Sequence, residues 1–421
     1  MSDLVRRDRA VTWHPYTQHG LDDAPLAVRS ARGATLTLED GREIVDAISS
    51  WWTILHGHAR PELIEAMRAQ ASRLDHVLFA GATHEPAVAL AERLVALAPS
   101  GLTRVFYSDD GSTAVEVALK IALGAHVRRG EPERRVFVAL DGGYHGDTFG
   151  AMSVGDPDPF FKDFDRLTFR VERVPCDATK IDAALERLGG AAAGVIVEPM
   201  VQGAGGMRFQ NPEFLRDVRR VCDERRVPWI ADEVMTGFGR TGRLFACRHA
   251  GVSPDLMCLA KGLTGGTYPL AVTLATDALF DAFRSHDRAR ALFHGHSFTA
   301  NPIGCAVALA SLELVEREDV PARLDRAGER IERELRALLP RDAPVADLRR
   351  MGGIVAYDLV GSGSGYLAID PRALRARALE LGVLLRPLGN VVYAMPPACI
   401  DAEGCSAVAR AMTALATSRR D

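Results

Sequence analysis

The middle of the chain alternates short apolar segments with amphipathic helical segments, and this alternation constrains the fold more than any other feature. Several apolar segments lack alternating polar residues, as is typical of parallel strands that are covered on both faces. The candidate strands are 103–108, 135–140, 193–199, 227–232, 255–260 and 269–275, and the helices between them include 112–130 and 212–226. This order predicts an α/β fold with a mostly parallel sheet.

The two ends of the chain follow a different pattern. Helices rich in Arg, Glu and Leu at about 304–340 precede short candidate strands at 352–360, 382–387 and 391–397. Near the N-terminus, 34–50 has the pattern of a hairpin with a turn at Asp40-Gly41. The 421 residues exceed one typical core. We therefore expect a large domain over 51–300 and a small α+β domain built from 1–50 and 301–421.

Composition argues against several classes of protein. The formal net charge is −4, and no long basic tract points to nucleic acid. No uninterrupted apolar run of about 18 residues suggests a membrane span, and the first residues lack the apolar core of a signal peptide. The seven cysteines are scattered and form no C-x-x-C pair. This usage favours reduced thiols in a cytosolic protein.

Gly237, Gly239 and Gly242 form a literal G-x-G-x-x-G. A dinucleotide-binding fingerprint needs its first glycine at the end of a strand and a helix at its third. Here Gly237 comes five residues after the candidate strand ends at Asp232, and Pro254 follows Gly242 by twelve residues. The pattern favours a loop that needs flexible glycines. A NAD-binding or non-catalytic α/β protein remains the alternative from another class.

Asp232 and Lys261 lie at the ends of two candidate strands, 29 residues apart. Open α/β sheets bind ligands outside the carboxyl ends of their strands. A partly desolvated lysine at such a place has a lowered pKa and is a nucleophile toward aldehydes. Taken alone, Asp232 could begin an exposed turn, and most lysines are solvated surface groups.

Together, Asp232 and Lys261 suggest the cofactor pyridoxal phosphate (PLP). It needs an amine for its aldehyde and a carboxylate beside its pyridine nitrogen. In "FYSDDGSTAVEVALK", Gly111 and Ser112 open a helix after a strand, so free N–H groups and a hydroxyl could bind the phosphate. Tyr144 supplies a ring to cover the cofactor. Each feature alone has an ordinary structural explanation, and their combination carries the prediction.

The chain resembles the class III PLP-dependent aminotransferases, of fold type I, over nearly its whole length. The most specific segments are "YHGDTFGAMSV", "EPMVQGAGGM", "DEVMTGFGRTG", "LAKGLTGG" and "HGHSFTANP". The segments 13–18, 49–58, 83–87 and 386–397 resemble one branch of this family. That branch transfers an amino group from S-adenosylmethionine to 8-amino-7-oxononanoate in biotin synthesis, which gives 7,8-diaminononanoate.

The resemblance implies a role for each cofactor residue. Lys261 forms the Schiff base and carries the proton, and Asp232 pairs with the pyridinium nitrogen. Gly111 and Ser112 hold the phosphate, while Tyr144 stacks on the ring and borders the substrate. His296 and Ser297 reach the phosphate of the neighbouring subunit's cofactor, with Gly295 near the substrate. The resemblance thus implies a homodimer with shared active sites.

The resemblance also implies a substrate pocket for small molecules. Its walls are Tyr16, Trp51, Trp52 and Tyr393, and Tyr16 is also a catalytic candidate. Arg386 binds the carboxylate of 8-amino-7-oxononanoate, since a guanidinium pairs with a carboxylate through two bonds. Arg240 is a second candidate for a carboxylate contact. If Trp51 and Trp52 lie on a strand, only one of the two indoles faces the substrate.

Two departures from the family pattern bear on the substrate. "HGHSF" replaces the usual "HGPTF", and the same form occurs in relatives that take the amino group from lysine. Met235 stands where many class III members have Gln, which counts against a generic ω-aminotransferase. The alternatives are therefore lysine as the donor, or another amine as the substrate.

The pattern "HGH" occurs twice, at His56/His58 and at His294/His296. Alternating histidines on a strand could bind zinc. Both pairs lie in glycine-rich segments of a family that uses no metal, so we expect local hydrogen bonding and no metal site.

Overall fold

The computed structural model describes residues 2–21, 24–361, 363 and 365–417. The helices are α1 Asp3–Val11, α2 Ser49–Trp52, α3 Pro61–Arg73, α4 Glu85–Leu97, α5 Gly111–Arg128, α6 Phe149–Val154, α7 Ala178–Leu188, α8 Pro212–Arg225, α9 Asp277–Asp281, α10 Pro302–Arg317, α11 Val320–Leu338, α12 Arg372–Glu380 and α13 Ala402–Thr417. The strands are β1 Val28–Arg32, β2 Thr35–Leu38, β3 Glu43–Asp46, β4 Leu102–Ser108, β5 Val136–Leu140, β6 Val171–Val174, β7 Ala192–Val197, β8 Val201–Gln202, β9 Arg208–Phe209, β10 Trp229–Asp232, β11 Leu256–Leu259, β12 Ala271–Thr276, β13 Val345–Met351, β14 Ile354–Leu359, β15 Val383–Leu384 and β16 Val391–Ala394.

A seven-stranded sheet forms the centre of the molecule, in the order β4-β12-β11-β10-β7-β5-β6. β12 runs antiparallel to both of its neighbours, and the other pairs are parallel. The prediction of an α/β fold with a mostly parallel sheet is confirmed. All six strands predicted for the α/β part of the chain occur, and their ends differ from the predicted ones by two residues at most.

Burial explains why these strands were visible in the sequence. Every residue of β5, β7, β10 and β11 is buried, because helices cover both faces of the sheet. α5 presents a continuous apolar face that packs on β11 and β12. The sequence missed β6, since Glu172 and Arg173 interrupt its apolar pattern at the edge of the sheet.

Segments from both ends of the chain share the smaller sheets. β2 and β3 form the predicted antiparallel hairpin, with Gly41 in the left-handed region at φ 87°. β15 pairs with β3 in parallel, which joins the C-terminal part of the chain to the N-terminal hairpin. β13, β14 and β16 form a separate antiparallel sheet. The domain boundaries near 50 and 300 stay a prediction.

The segment with the two tryptophans is not a strand. Ser49, Ser50, Trp51 and Trp52 all have positive φ, between 43° and 73°, so α2 is a left-handed turn. Such a run of non-glycine residues is strained and persists only where its surroundings fix it. The expectation that the indoles point to opposite faces of a strand was therefore wrong.

Within the described ranges, no helix has the length and apolar character that a membrane span requires. All seven cysteines are free thiols.

Candidate active site

Asp232 and Lys261 come together because their strands are neighbours. Asp232 ends β10 and pairs in register with Cys258 of β11, and Lys261 follows two residues after β11. Both side chains line a cavity of about 500 Å³, the lysine cavity, at the carboxyl ends of these strands. Gly111, Ser112 and Tyr144 line the same cavity. The structure therefore brings the five predicted cofactor residues of this chain into one place.

The Lys261 amine is buried with few polar contacts to offset the loss of hydration. Its Nζ lies 4.7 Å from the centre of the Trp52 ring, and no hydrogen bond to it occurs within the described residues. Burial lowers the pKa of Lys261 to about 8, although the charges of Asp232 and Glu198 act in the opposite direction. A substantial fraction of the amine is therefore neutral near physiological pH.

Asp232 has a partner that the sequence analysis missed. Its Oδ2 lies 2.7 Å from Nδ1 of His145, and its Oδ1 accepts a hydrogen bond from the Val234 N–H. Burial alone would lower the pKa of His145, but Asp232 and Glu198 raise it. His145 follows Tyr144 in "YHGDTFGAMSV", so the signal was present within a recognised segment.

The N-terminus of α5 forms one wall of the lysine cavity. Asp110 caps the helix by accepting from the Thr113 N–H, in a reciprocal capping box. A Cβ at Gly111 would approach Val234 Cγ1 to 2.6 Å, so only glycine lets the helix start this close to β10. Ser112 Oγ accepts a hydrogen bond from the Asp147 N–H at 3.2 Å. The helix N-terminus thus offers the lysine cavity a place for an anion.

A second cavity of about 330 Å³, the aromatic cavity, meets the lysine cavity at Lys261. Tyr16, Trp51 and Trp52 line it, so both indoles face the candidate substrate space. Tyr393 does not line either cavity. It is 1% exposed and accepts a hydrogen bond from Trp52 Nε1 at 2.9 Å, which places it behind the wall. In this structure Tyr393 supports Trp52, and its role as a wall of the substrate pocket stays a prediction.

Asp147 joins the two tyrosines of the site and was not predicted. It accepts hydrogen bonds from the hydroxyls of Tyr16 and Tyr144, which are themselves 3.0 Å apart. Burial raises the pKa of both tyrosines, and the neighbouring Asp147 carboxylate adds to the effect. Both hydroxyls therefore keep their protons at neutral pH.

The two predicted carboxylate-binding arginines lie in different environments. The Arg386 guanidinium lies 4.3 Å from the centre of the Trp51 ring and is half-buried, and no ion pair or hydrogen bond of its side chain occurs in the described chain. Arg240 is 1% exposed and donates to Ser49 Oγ and to the carbonyls of Trp52, Ile54 and Pro396. These four hydrogen bonds hold α2, and the substrate contact of Arg240 stays a prediction.

Gly295, His296 and Ser297 do not line the lysine cavity of their own chain. Gly295 and Ser297 are exposed, while His296 Nε2 lies 3.5 Å from Asp109 at the margin of that cavity. The other predicted histidines form local contacts: His56 with Ser311, and His58 with Asp46.

Two further side chains of the lysine cavity lie outside the predicted set. Glu198 accepts hydrogen bonds from the N–H groups of Tyr144 and Gly203, and burial raises its pKa to about 7. Met235 lines the cavity without a polar group to offer.

The glycine-rich segment at 237–242 is a loop, as favoured from its sequence. Gly239 and Gly242 have positive φ of 102° and 86°, and the next element is a short 3-10 turn at Ala246–His249. No long helix begins at Gly242, so the geometry of a dinucleotide-binding turn is missing at this segment.

The residues of the lysine cavity fit PLP. A partly neutral amine, a buried carboxylate and a helix N-terminus match its aldehyde, pyridine nitrogen and phosphate. The glycine at 111 leaves the space beside Val234 that a side chain would fill.

Comparisons with known proteins agree with this geometry. The model of the class III aminotransferase family matches residues 16–415. The adenosylmethionine-8-amino-7-oxononanoate aminotransferase of Synechococcus elongatus is 50% identical over 405 residues, which covers 92% of this chain and 94% of that protein. The crystal structure of the enzyme of the same name from Methanocaldococcus jannaschii has a TM-score of 0.94 at 35% identity and covers 98% of both chains. The omega transaminase from Pseudomonas jessenii in complex with PMP has a TM-score of 0.91 at 26% identity and covers 98% of this chain and 97% of that one. The fold is thus that of the fold type I PLP enzymes, and the chain belongs to the class III aminotransferases.

Proposed function

We propose that this protein transfers an amino group from S-adenosylmethionine to 8-amino-7-oxononanoate, which gives 7,8-diaminononanoate for biotin synthesis. The observation that carries the proposal is the meeting of Lys261 and Asp232 in one cavity beside the N-terminus of α5. The relative from Synechococcus elongatus, an adenosylmethionine-8-amino-7-oxononanoate aminotransferase at 50% identity over most of the chain, supports the choice of substrates.

The cofactor is PLP, as in the rest of the family. When bound, it supplies an aldehyde that accepts the amino group and a protonated pyridine ring that withdraws electrons from the reacting carbon. Lys261 would hold the aldehyde end, Asp232 the pyridine nitrogen, and Gly111 and Ser112 the phosphate. Tyr144 would cover the ring, and its backbone N–H is fixed by Glu198.

Lys261 moves the proton. Because burial lowers its pKa to about 8, Nζ can take a proton from the donor Cα and later return one to the product. Asp232 would hold the pyridine nitrogen in its protonated form, and His145 holds the Asp232 carboxylate in place at 2.7 Å. Tyr16 and Tyr144 keep their hydroxyl protons and donate hydrogen bonds to Asp147.

The acceptor binds through its two ends. The guanidinium of Arg386 is available for the substrate carboxylate, as no other acceptor in the described chain occupies it. The aliphatic chain would lie along Trp51 and Trp52, whose indoles exclude water from the path to Lys261. The 7-keto group would then lie at the end of the site that holds Lys261.

We also propose a homodimer in the cytosol. The rings of Phe280, Phe293 and Phe298 are exposed, and contact with a second copy would remove such apolar rings from water. His296 and Ser297 would then reach the phosphate site of the partner. Free thiols are consistent with a reducing compartment.

A half-reaction assay tests the amino donor. The purified, PLP-loaded protein is mixed with S-adenosylmethionine or with lysine, and the absorbance band of the bound cofactor is followed to that of pyridoxamine phosphate. Conversion by S-adenosylmethionine alone supports the proposal, and conversion by lysine alone changes the donor. If neither compound converts the band, the assignment to biotin synthesis is rejected. The Lys261→Ala variant, which should retain cofactor but not convert it, is the control.

A further inference from the structure

The left-handed turn α2 carries the two indoles that touch the lysine and the free arginine of the candidate site. The centre of the Trp52 ring lies 4.7 Å from Lys261 Nζ, and the centre of the Trp51 ring lies 4.3 Å from the Arg386 guanidinium. Both indoles also line the aromatic cavity. Because the two tryptophans are adjacent in one turn, a change in the backbone of that turn would move the wall beside the amine and the wall beside the guanidinium together.

The residues of this turn do not favour its conformation by themselves. Ser49, Ser50, Trp51 and Trp52 have φ of 51°, 43°, 68° and 73°, and none of them is glycine. Residues with a Cβ rarely adopt the left-handed region, and four in a row are unfavourable in an isolated segment. Contacts with residues outside the turn must therefore hold it.

Asp46 supplies such contacts at the start of the turn. Its side chain is fully buried. Oδ1 accepts hydrogen bonds from the N–H groups of Ile48 and Ser50, at 3.3 and 3.0 Å. Oδ2 accepts a hydrogen bond from the Ser50 hydroxyl at 2.7 Å and lies 2.9 Å from Nε2 of His58. Both carboxylate oxygens thus hold the chain at the turn and just before it.

The negative charge of Asp46 strengthens these contacts. Burial would raise the pKa of Asp46, but hydrogen bonds from His58 and Ser50 lower it, so the carboxylate is ionised at neutral pH. An ionised acceptor forms stronger hydrogen bonds than a neutral one. An asparagine at this position would lose the charge and would replace one acceptor oxygen with an NH2 donor. It could not satisfy the same set of partners.

We propose that Asp46 is a positioning residue of the active site, which fixes the indoles of Trp51 and Trp52 by holding the turn that carries them. Asp46 lines neither the lysine cavity nor the aromatic cavity, so it acts through α2. Through Trp52 it sets the surroundings of the Lys261 amine, and through Trp51 it sets the place of the Arg386 guanidinium. The inference rests on the proposed function for the identity of the substrates.

Asp46→Asn tests this role in the PLP-loaded protein. We expect kcat to fall about tenfold and the KM for 8-amino-7-oxononanoate to rise about tenfold, because small displacements of positioned groups cost large factors in rate. Ser50→Ala removes only the hydroxyl bonded to Oδ2 and should change both constants in the same direction by a smaller factor. Asp40→Asn, an exposed carboxylate between β2 and β3, is the matched control and should change neither. Rates are expressed per bound cofactor, measured by absorbance.

A second substitution separates positioning from a general loss of stability or charge. Glycine adopts positive φ without strain, so Ser50→Gly should restore the turn in the Asp46→Asn background. We expect the double variant to return to within about threefold of the wild type in both constants. Equal constants in wild type and Asp46→Asn would overturn the proposal, and so would losses that Ser50→Gly leaves unchanged.

Near-UV circular dichroism follows the indoles without any substrate. In the PLP-loaded protein the tryptophan signal should weaken in Asp46→Asn and return in the double variant, because this signal depends on fixed side-chain packing. A signal that is the same in wild type and Asp46→Asn would contradict the role of Asp46. If the wild type rejects S-adenosylmethionine and 8-amino-7-oxononanoate while the variants show this loss and return, the proposed function fails and the positioning role stands.

Discussion

Nδ1 of His145 lies 2.7 Å from Oδ2 of Asp232, and both side chains are buried. The hydrogen bond and charge of Asp232 overcome the effect of burial and raise the pKa of His145. The hydrogen bond therefore holds the carboxylate in place before any ligand reaches it.

Removing the His145 imidazole should impair turnover through Asp232. In His145→Ala the buried carboxylate loses its closest partner, and we expect kcat to fall about 10- to 100-fold. His145→Asn keeps an amide donor at a similar place and should recover part of the loss. Steady-state kinetics at saturating substrates, with cofactor content measured by absorbance, check this. Equal activity in wild type and His145→Ala would show that the contact is only structural.

Lys261 should react as an amine of unusually low pKa. Burial lowers its pKa from the ordinary 10.5 to about 8, so at any pH between these values a larger fraction is neutral than for an exposed lysine. In cofactor-free protein, acylation by acetic anhydride should rise with a midpoint near pH 8 at Lys261. Peptide mass spectrometry reads each lysine separately.

Lys162 and Lys180 are exposed and serve as internal references for that experiment. A common midpoint for all three would contradict the effect of burial. The same shift has a consequence for stability: between pH 8 and 10.5 the unfolded chain binds more protons at this residue. The cofactor-free protein should therefore gain stability from Lys261 as the pH rises through this window.

Arg386 should govern the acceptor and not the cofactor. We expect Arg386→Ala to raise the KM for 8-amino-7-oxononanoate about 10- to 100-fold, because a buried carboxylate contact through two hydrogen bonds is lost. Arg386→Lys keeps the charge without the planar fork and should recover only part of the binding. The cofactor absorbance spectrum should stay unchanged in both variants. A KM equal to the wild type in Arg386→Ala would remove the residue from the substrate site.

Arg240 should matter for stability, because its side chain ties the loop at 237–242 to α2. Arg240→Lys cannot reach the hydroxyl and three carbonyls that the guanidinium binds. We expect a loss of about 3 kcal/mol in the free energy of unfolding, measured by urea denaturation. Arg243→Lys, an exposed arginine in the same loop, is the matched control. Unchanged stability in Arg240→Lys, with a raised KM for the acceptor, would contradict the structural role and favour a contact with the substrate.

Local patterns in the sequence predicted most of the fold. Apolar runs located β4, β5, β7, β10, β11 and β12, since buried parallel strands need no polar face. The sequence did not reveal β6 and β13, because charged residues interrupt their apolar pattern. Lys261, Asp232 and the start of α5 were recognisable because their residue types sit at strand ends.

Side-chain partners far apart in the sequence were not predictable in this way. His145 and Asp232 are 87 positions apart, and Trp52 and Tyr393 are 341 apart. The left-handed turn of α2 also lacks a local signal, because no glycine marks it and Arg240 holds it from another loop. The internal hydrogen bonds of Arg240 were therefore not predictable from its position in the sequence.

The sequence by itself determined the order of strands and helices along the chain, the family, and the candidate cofactor residues that line the lysine cavity, because these depend on local pattern and on residues at strand ends. The tertiary structure decided which strands are neighbours and which of the two candidate arginines forms hydrogen bonds within the described chain. Those properties arise from packing between distant segments, where the burial of one side chain depends on atoms that the local sequence does not contain.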